Sequence, residues 1–121
     1  MVHLDYRSAK PIYAQILDGF REQILSGVLT PGEKLPSVRE LAGQLAINPN
    51  TIQRSYRLLE AEGWIVTIPG KGCFVCSGEE GREKETERWY AAFDEAAAML
   101  RALGISEKAL EQRLKGGTEN A

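Results

Sequence analysis

Ser37-Val38-Arg39-Glu40, Asn48-Pro49-Asn50-Thr51 and Glu62-Gly63 punctuate the stretch that decides the fold, Leu35 to Val75. Ser37 and Glu40 stand at capping-box spacing, so a helix opens at Ser37. Leu41 and Leu45 give it an apolar stripe at i and i+4. Asn48-Pro49 restarts the helix, because Asn is a good N-cap and Pro suits the first helical position. This second helix runs to about Ala61 and stops at Gly63. Beyond it the period changes. Trp64-Ile65-Val66-Thr67-Ile68 is β-rich, Pro69-Gly70-Lys71-Gly72 is turn chemistry, and Cys73-Phe74-Val75-Cys76 resumes a strand. Two short helices followed by a hairpin make a winged helix-turn-helix, a shape that can set its second helix in the major groove of DNA.

At about 100° per residue, Ile52, Ser55, Tyr56 and Leu59 share the side of the second helix expected to pack inward. Asn50, Gln53, Arg54 and Arg57 fall opposite. No carboxylate occurs in this helix before Glu60, so its outward face is neutral to positive. Asn and Gln can pair bidentately with adenine and Arg with the guanine edge, so Asn50, Gln53 and Arg54 are the candidate base readers. Thr51 and Arg57 are candidates for phosphate. At the hairpin tip, Gly70 and Gly72 let the backbone come close to another surface, with Lys71 as the one cation at the apex. That tip suits a minor-groove or phosphate contact. An ordinary solvated face and a generic hairpin are the alternatives for these two features taken singly.

Upstream, Ile12, Ile16, Phe20 and Ile24 repeat at i+4 with Leu17 alongside, so a first helix from about Pro11 to Ser26 carries a broad core stripe. Tyr13 lies off that stripe, as a half-buried structural residue or a phosphate contact. Thr30-Pro31-Gly32 is a turn, and Lys34-Leu35 can add a short strand beside the wing. Cys73 and Cys76 form a C-x-x-C, yet they sit in a strand, where odd separation sends their side chains to opposite faces. A redox pair normally opens a helix, and zinc needs further ligands. The only histidine, His3, is remote in sequence. A structural role follows for both thiols, with no metal, no cofactor and no catalytic constellation.

The 121 residues are 43% hydrophobic and 26% charged, which suits one compact domain and an appendage. No run approaches the ~18 apolar residues of a membrane span, and no signal peptide opens the chain, so a cytoplasmic protein is expected. The net charge of −2 is unusual for a nucleic-acid binder, but it is unevenly spread. Residues 1–76 hold eight Lys/Arg against seven Asp/Glu, whereas residues 77–121 hold seven against ten. The acidity belongs to the tail.

That tail opens with Ser77-Gly78 and a charged stretch, Glu79 to Glu87, leading into Trp89, Phe93, Ala96, Leu100 and Leu103. These positions step by four and three, a heptad-like seam on one long helix. Gly104 ends it, and Ser106 can cap a short second helix bearing Ala109, Leu110 and Leu114. Gly116 to Ala121 is expected to fray. Two helices cannot bury that seam alone, so it packs on the winged domain or, as the favoured reading, on a second subunit. The expected organisation is therefore α+β: residues 1–76 as a winged helix-turn-helix of three helices plus a β-hairpin wing, and residues 77–121 as a short two-helix dimerisation segment.

Several blocks together resemble the winged-helix domain of GntR-family bacterial transcription regulators. They are Pro11-Ile12-Tyr13-Ala14-Gln15-Ile16, Gly27 to Ser37, Arg39-Glu40-Leu41-Ala42, Asn48 to Ile52, Leu59 to Gly63, and Gly70 to Val75. The match runs from about Lys10 to Val75, and the Asn-Pro-Asn-Thr opening and short tail resemble the YtrA-like subfamily. The resemblance implies a DNA contact for Arg39, which lies in the first turn of its helix. It also implies a homodimeric repressor without enzymatic activity on an inverted-repeat operator in double-stranded DNA, in some relatives serving a transporter operon. A small-molecule effector has room only between the domains or at the dimer interface. The rival expectation is a winged helix used as a protein-protein interaction adaptor, favoured only by the weak basic charge.

Overall fold

The computed structural model describes residues 2–116, so the end of the tail, 117–121, lies outside the described residues. The elements are α1 (Ile12–Ser26), α2 (Val38–Leu45), α3 (Pro49–Ala61), β1 (Ile65–Ile68), β2 (Gly72–Val75), α4 (Glu79–Ala102) and α5 (Glu107–Gly116). This is an α+β winged helix followed by two C-terminal helices. The chain divides into two compact units, residues 1–84 and 85–121.

In the first unit the local signals act where the sequence puts them. Ser37 accepts from the Glu40 backbone at 3.0 Å, and the Glu40 carboxylate accepts from the Ser37 backbone at 3.0 Å. This reciprocal cap starts α2. Asn48 caps α3 by accepting from the Asn50 N–H at 2.8 Å, with Pro49 in the first turn. Between the two helices Ala46 takes a left-handed conformation, φ 56°, which lacks the glycine usual at such a position. Ile47 N–H then donates to the Ala42 carbonyl at 3.0 Å and closes the turn.

The apolar faces of α1, α2 and α3 meet in one core. Ile16, Leu41, Ile52, Leu59 and Trp64 are fully buried, with Phe20, Ile24, Leu35, Ile65 and Val75 around them. Tyr56 packs edge-on against Phe20 with ring centroids 5.9 Å apart, and its hydroxyl donates to the Pro36 carbonyl at 2.7 Å. Burial raises the Tyr56 phenol above its ordinary range.

The wing is an antiparallel pair with Ile65 opposite Val75, Thr67 opposite Cys73 and Ile68 opposite Gly72. The expected strand at Lys34-Leu35 is reduced to a single bridge, Lys34 to Phe74. It is extended by Leu35 N–H donating to Cys73 O and Val75 N–H to Glu33 O, both at 2.9 Å. The charged stretch Glu79 to Glu87, expected as a lead-in, is already helical in α4. Its first turn belongs with the first unit: Gly78 and Gly81 are buried, and Trp64 lies against the Gly81 backbone.

In the second unit α4 runs on to Ala102, Gly104 turns the chain with φ 91°, and Ser106 accepts from the Ala109 N–H at 3.1 Å to open α5. Among the described residues of this unit Ala97 is buried. Phe93, Leu110 and Leu114 line a small cavity beside it. No helix among the described residues is long and apolar enough to cross a membrane.

Candidate nucleic-acid interface

The outward face of α3 is built by exclusion. Ile52, Ser55, Tyr56 and Leu59 are buried, which leaves Asn50, Gln53, Arg54 and Arg57 exposed on the other side. Thr51 sits at the margin, half-buried, and its carbonyl accepts from Ser55 Oγ at 3.2 Å. Ser55 Oγ also lies 2.9 Å from the Tyr13 carbonyl, a buried polar link from α3 to the start of α1. Beside that link the Arg54 guanidinium carbon stands 3.6 Å from the centroid of the Tyr13 ring. A stacked guanidinium keeps its N–H groups directed outward in the plane of the fork, available to an acceptor.

Arg39 projects, exposed, from the first turn of α2. Its neighbour Glu40 is occupied by the cap. The hydrogen bonds from the Ser37 backbone and hydroxyl hold the Glu40 carboxyl below its ordinary value, so it stays charged as a cap acceptor. Gly70, φ 76°, and Lys71 form the exposed wing tip, closed by Lys71 N–H donating to Ile68 O at 2.9 Å. A groove of about 410 Å³ separates this tip from the start of α2, and Lys34, Ser37, Thr67 and Lys71 are among its walls. Two cations that the sequence places far apart thus line one groove. Lys34 was not among the expected site residues. The Lys34 side chain passes close over Gly72, where a Cβ would stand 2.9 Å from Lys34 Cε.

The cysteines are placed differently from a reactive pair. Cys73 Sγ lies 3.4 Å from the Thr67 hydroxyl across the wing. Burial pushes the Cys76 thiol up, away from the thiolate that nucleophilic or metal chemistry needs.

Residues 12–75 match the family of bacterial regulatory proteins called the gntR family. The HTH-type transcriptional repressor YtrA of Bacillus subtilis is 48% identical over 75 residues, covering 62% of this chain and 58% of that protein. The uncharacterized HTH-type regulator YhcF of the same organism is 36% identical over 118 residues, covering 94% of this chain and 95% of its own. Among solved structures, the GntR-family transcription factor YtrA from Sulfolobus acidocaldarius superposes with a TM-score of 0.64 at 31% identity, over 99% of this chain and 98% of that one. The DNA-binding domain of AraR in complex with operator ORR3 matches with a TM-score of 0.54 at 28% identity, over 61% of this chain and 89% of that one. All four are described as transcription regulators or DNA-binding domains, and the AraR domain is bound to an operator. The chain belongs to the GntR family, on its YtrA-like branch, and is a DNA-binding transcription regulator.

Proposed function

We propose that this regulator is a homodimeric repressor of an inverted-repeat operator, acting in the cytoplasm and carrying no enzymatic activity. The observation that carries the dimer is the exposed apolar seam of α4 and of Leu103 just beyond it. Trp89 is 61% exposed, Phe93 49% and Leu103 76% in the single chain, with Ala96 and Leu100 exposed beside them. Covering a Phe or Leu stabilises by roughly 1.5–3 kcal/mol, and a symmetric interface counts each residue twice. The acidic second unit supplies the partner contact and the first unit the DNA contact. In this reading Asn50, Gln53 and Arg54 meet base edges. Arg39, Thr51, Arg57, Gly70 and Lys71 meet phosphate or the minor groove. Repression follows where such a site overlaps a promoter. The cavity between α4 and α5, about 210 Å³, is below the ~300 Å³ of ordinary ligand sites and is too small to serve as an ordinary effector pocket.

Sedimentation tests the proposal. The full chain should run as a dimer. Phe93→Asp, and a chain ending at Lys84, should run as monomers. Either monomer should bind operator roughly 100-fold or more weakly, through loss of linked engagement. A stable dimer in the chain ending at Lys84 would move the interface onto the winged domain and overturn the assignment.

A further inference from the structure

The stack of Arg54 on Tyr13 joins two elements that the sequence separates by 41 positions, and neither residue needs the other to fill the core. Tyr13 is half-buried and Arg54 is exposed, so the pair lies at the rim of the α1–α3 contact. Its geometry is nevertheless fixed from beneath. Ser55, fully buried and next to Arg54, bonds the Tyr13 carbonyl at 2.9 Å. The backbone that carries the ring is therefore anchored to α3. An arginine on a helix surface otherwise samples many rotamers, and ordering such a side chain on binding opposes association. Among the described residues no carboxylate pairs with Arg54, so its fork is held by its face and left open along its edge.

We propose that Tyr13 is a specificity-positioning residue: its ring holds the Arg54 guanidinium in the orientation that meets a base edge, so that base preference depends on a residue of α1. The proposal rests on the base-reading role given to Arg54 above. Stacking of this kind on a partly exposed ring corresponds to about a two- to fivefold effect on binding. Its signature is selective. Loss of the ring lowers affinity for the preferred base at one position of each half-site, with little change for the other bases there. A ring hydroxyl touching phosphate would instead affect every sequence alike.

The experiment measures affinities of the full chain for an operator selected from random duplexes and for its single-base variants. The proteins are the parent, Tyr13→Phe, Tyr13→Leu, Tyr13→Gln, Arg54→Ala, and Tyr13→Leu with Arg54→Ala. Thermal melts identify the variants that fold, and the Leu and Gln replacements back each other. Tyr13→Phe should keep the parent's preferences. Tyr13→Leu or Tyr13→Gln should relax, two- to fivefold, the position that Arg54→Ala relaxes, and the double variant should relax it no further than Arg54→Ala alone. If Arg54→Ala relaxes a position that the Leu and Gln variants leave intact, the positioning role is overturned while base reading stands. A Phe variant as impaired as the Leu variant overturns it too, by placing the effect in the hydroxyl. If Arg54→Ala relaxes no position, base reading by this residue fails and the positioning role fails with it.

Discussion

Two glycines in helices give opposite expectations for one substitution. Helical Gly is disfavoured relative to Ala by roughly 0.5–1 kcal/mol, so propensity alone makes Gly→Ala stabilising at both Gly43 and Gly81. At Gly43, in α2, an added Cβ meets nothing within 4 Å. At Gly81, in the first turns of α4, it would stand 2.5 Å from Cδ2 and Cε2 of Trp64. The indole has no easy retreat. Trp64 is fully buried, its Nε1 donates to Glu62 at 3.0 Å, and its backbone bonds Leu59 O and Cys76 N, each at 2.9 Å. Overpacking of this kind costs about 1–3 kcal/mol, which exceeds the propensity gain. Gly43→Ala should therefore raise stability by about 0.5–1 kcal/mol, and Gly81→Ala should lower it by up to about 2 kcal/mol. Urea unfolding followed by Trp fluorescence and by circular dichroism measures both. Equal stabilisation by the two variants would refute the packing of α4's start on Trp64.

Tyr56→Phe removes the bond to the Pro36 carbonyl and should destabilise by about 0.5–1.5 kcal/mol in urea unfolding. Because folding raises the phenol's pKa, the parent's Tyr56 contribution is full below pH ~10 and is lost as pH climbs above it; the Phe variant should lack that alkaline loss. Glu40 has the reverse sign. Its pKa is lowered on folding from 4.5, so the stability it adds is present above that pH and disappears as pH falls through the lowered value. Glu40→Ala should flatten this acid limb in pH-dependent melts, and an unchanged limb would count against the cap. Lys71→Ala should weaken all DNA sequences alike and reduce the salt slope by about one, read from binding isotherms across salt concentrations.

Much of this was legible in the sequence because the deciding physics is local. Ser37 and Glu40, Asn48 and Pro49, and Gly63 announce helix ends through hydrogen bonds within a few residues. The 3.6-residue period separates Ile52, Ser55, Tyr56 and Leu59 from Asn50, Gln53, Arg54 and Arg57. What stayed hidden depends on contacts between distant segments. Nothing near Tyr13 announces that it will carry Arg54, and nothing near Gly81 announces that Trp64 will need its missing side chain. Lys34 joins the wing groove because the chain before α2 bridges to Phe74 of β2. The left-handed Ala46 is a further case, since alanine gives no sign of the conformation that its turn imposes.

Selection of bound sequences from random duplex DNA by the full chain tests the central claim most directly, that the exposed face of α3 reads DNA in a two-fold assembly. Enrichment of an inverted repeat is expected, with half-site centres about one helical turn apart or a multiple of it. A single unrepeated motif would contradict the dimeric reading, and no enrichment would contradict sequence recognition by Asn50, Gln53 and Arg54.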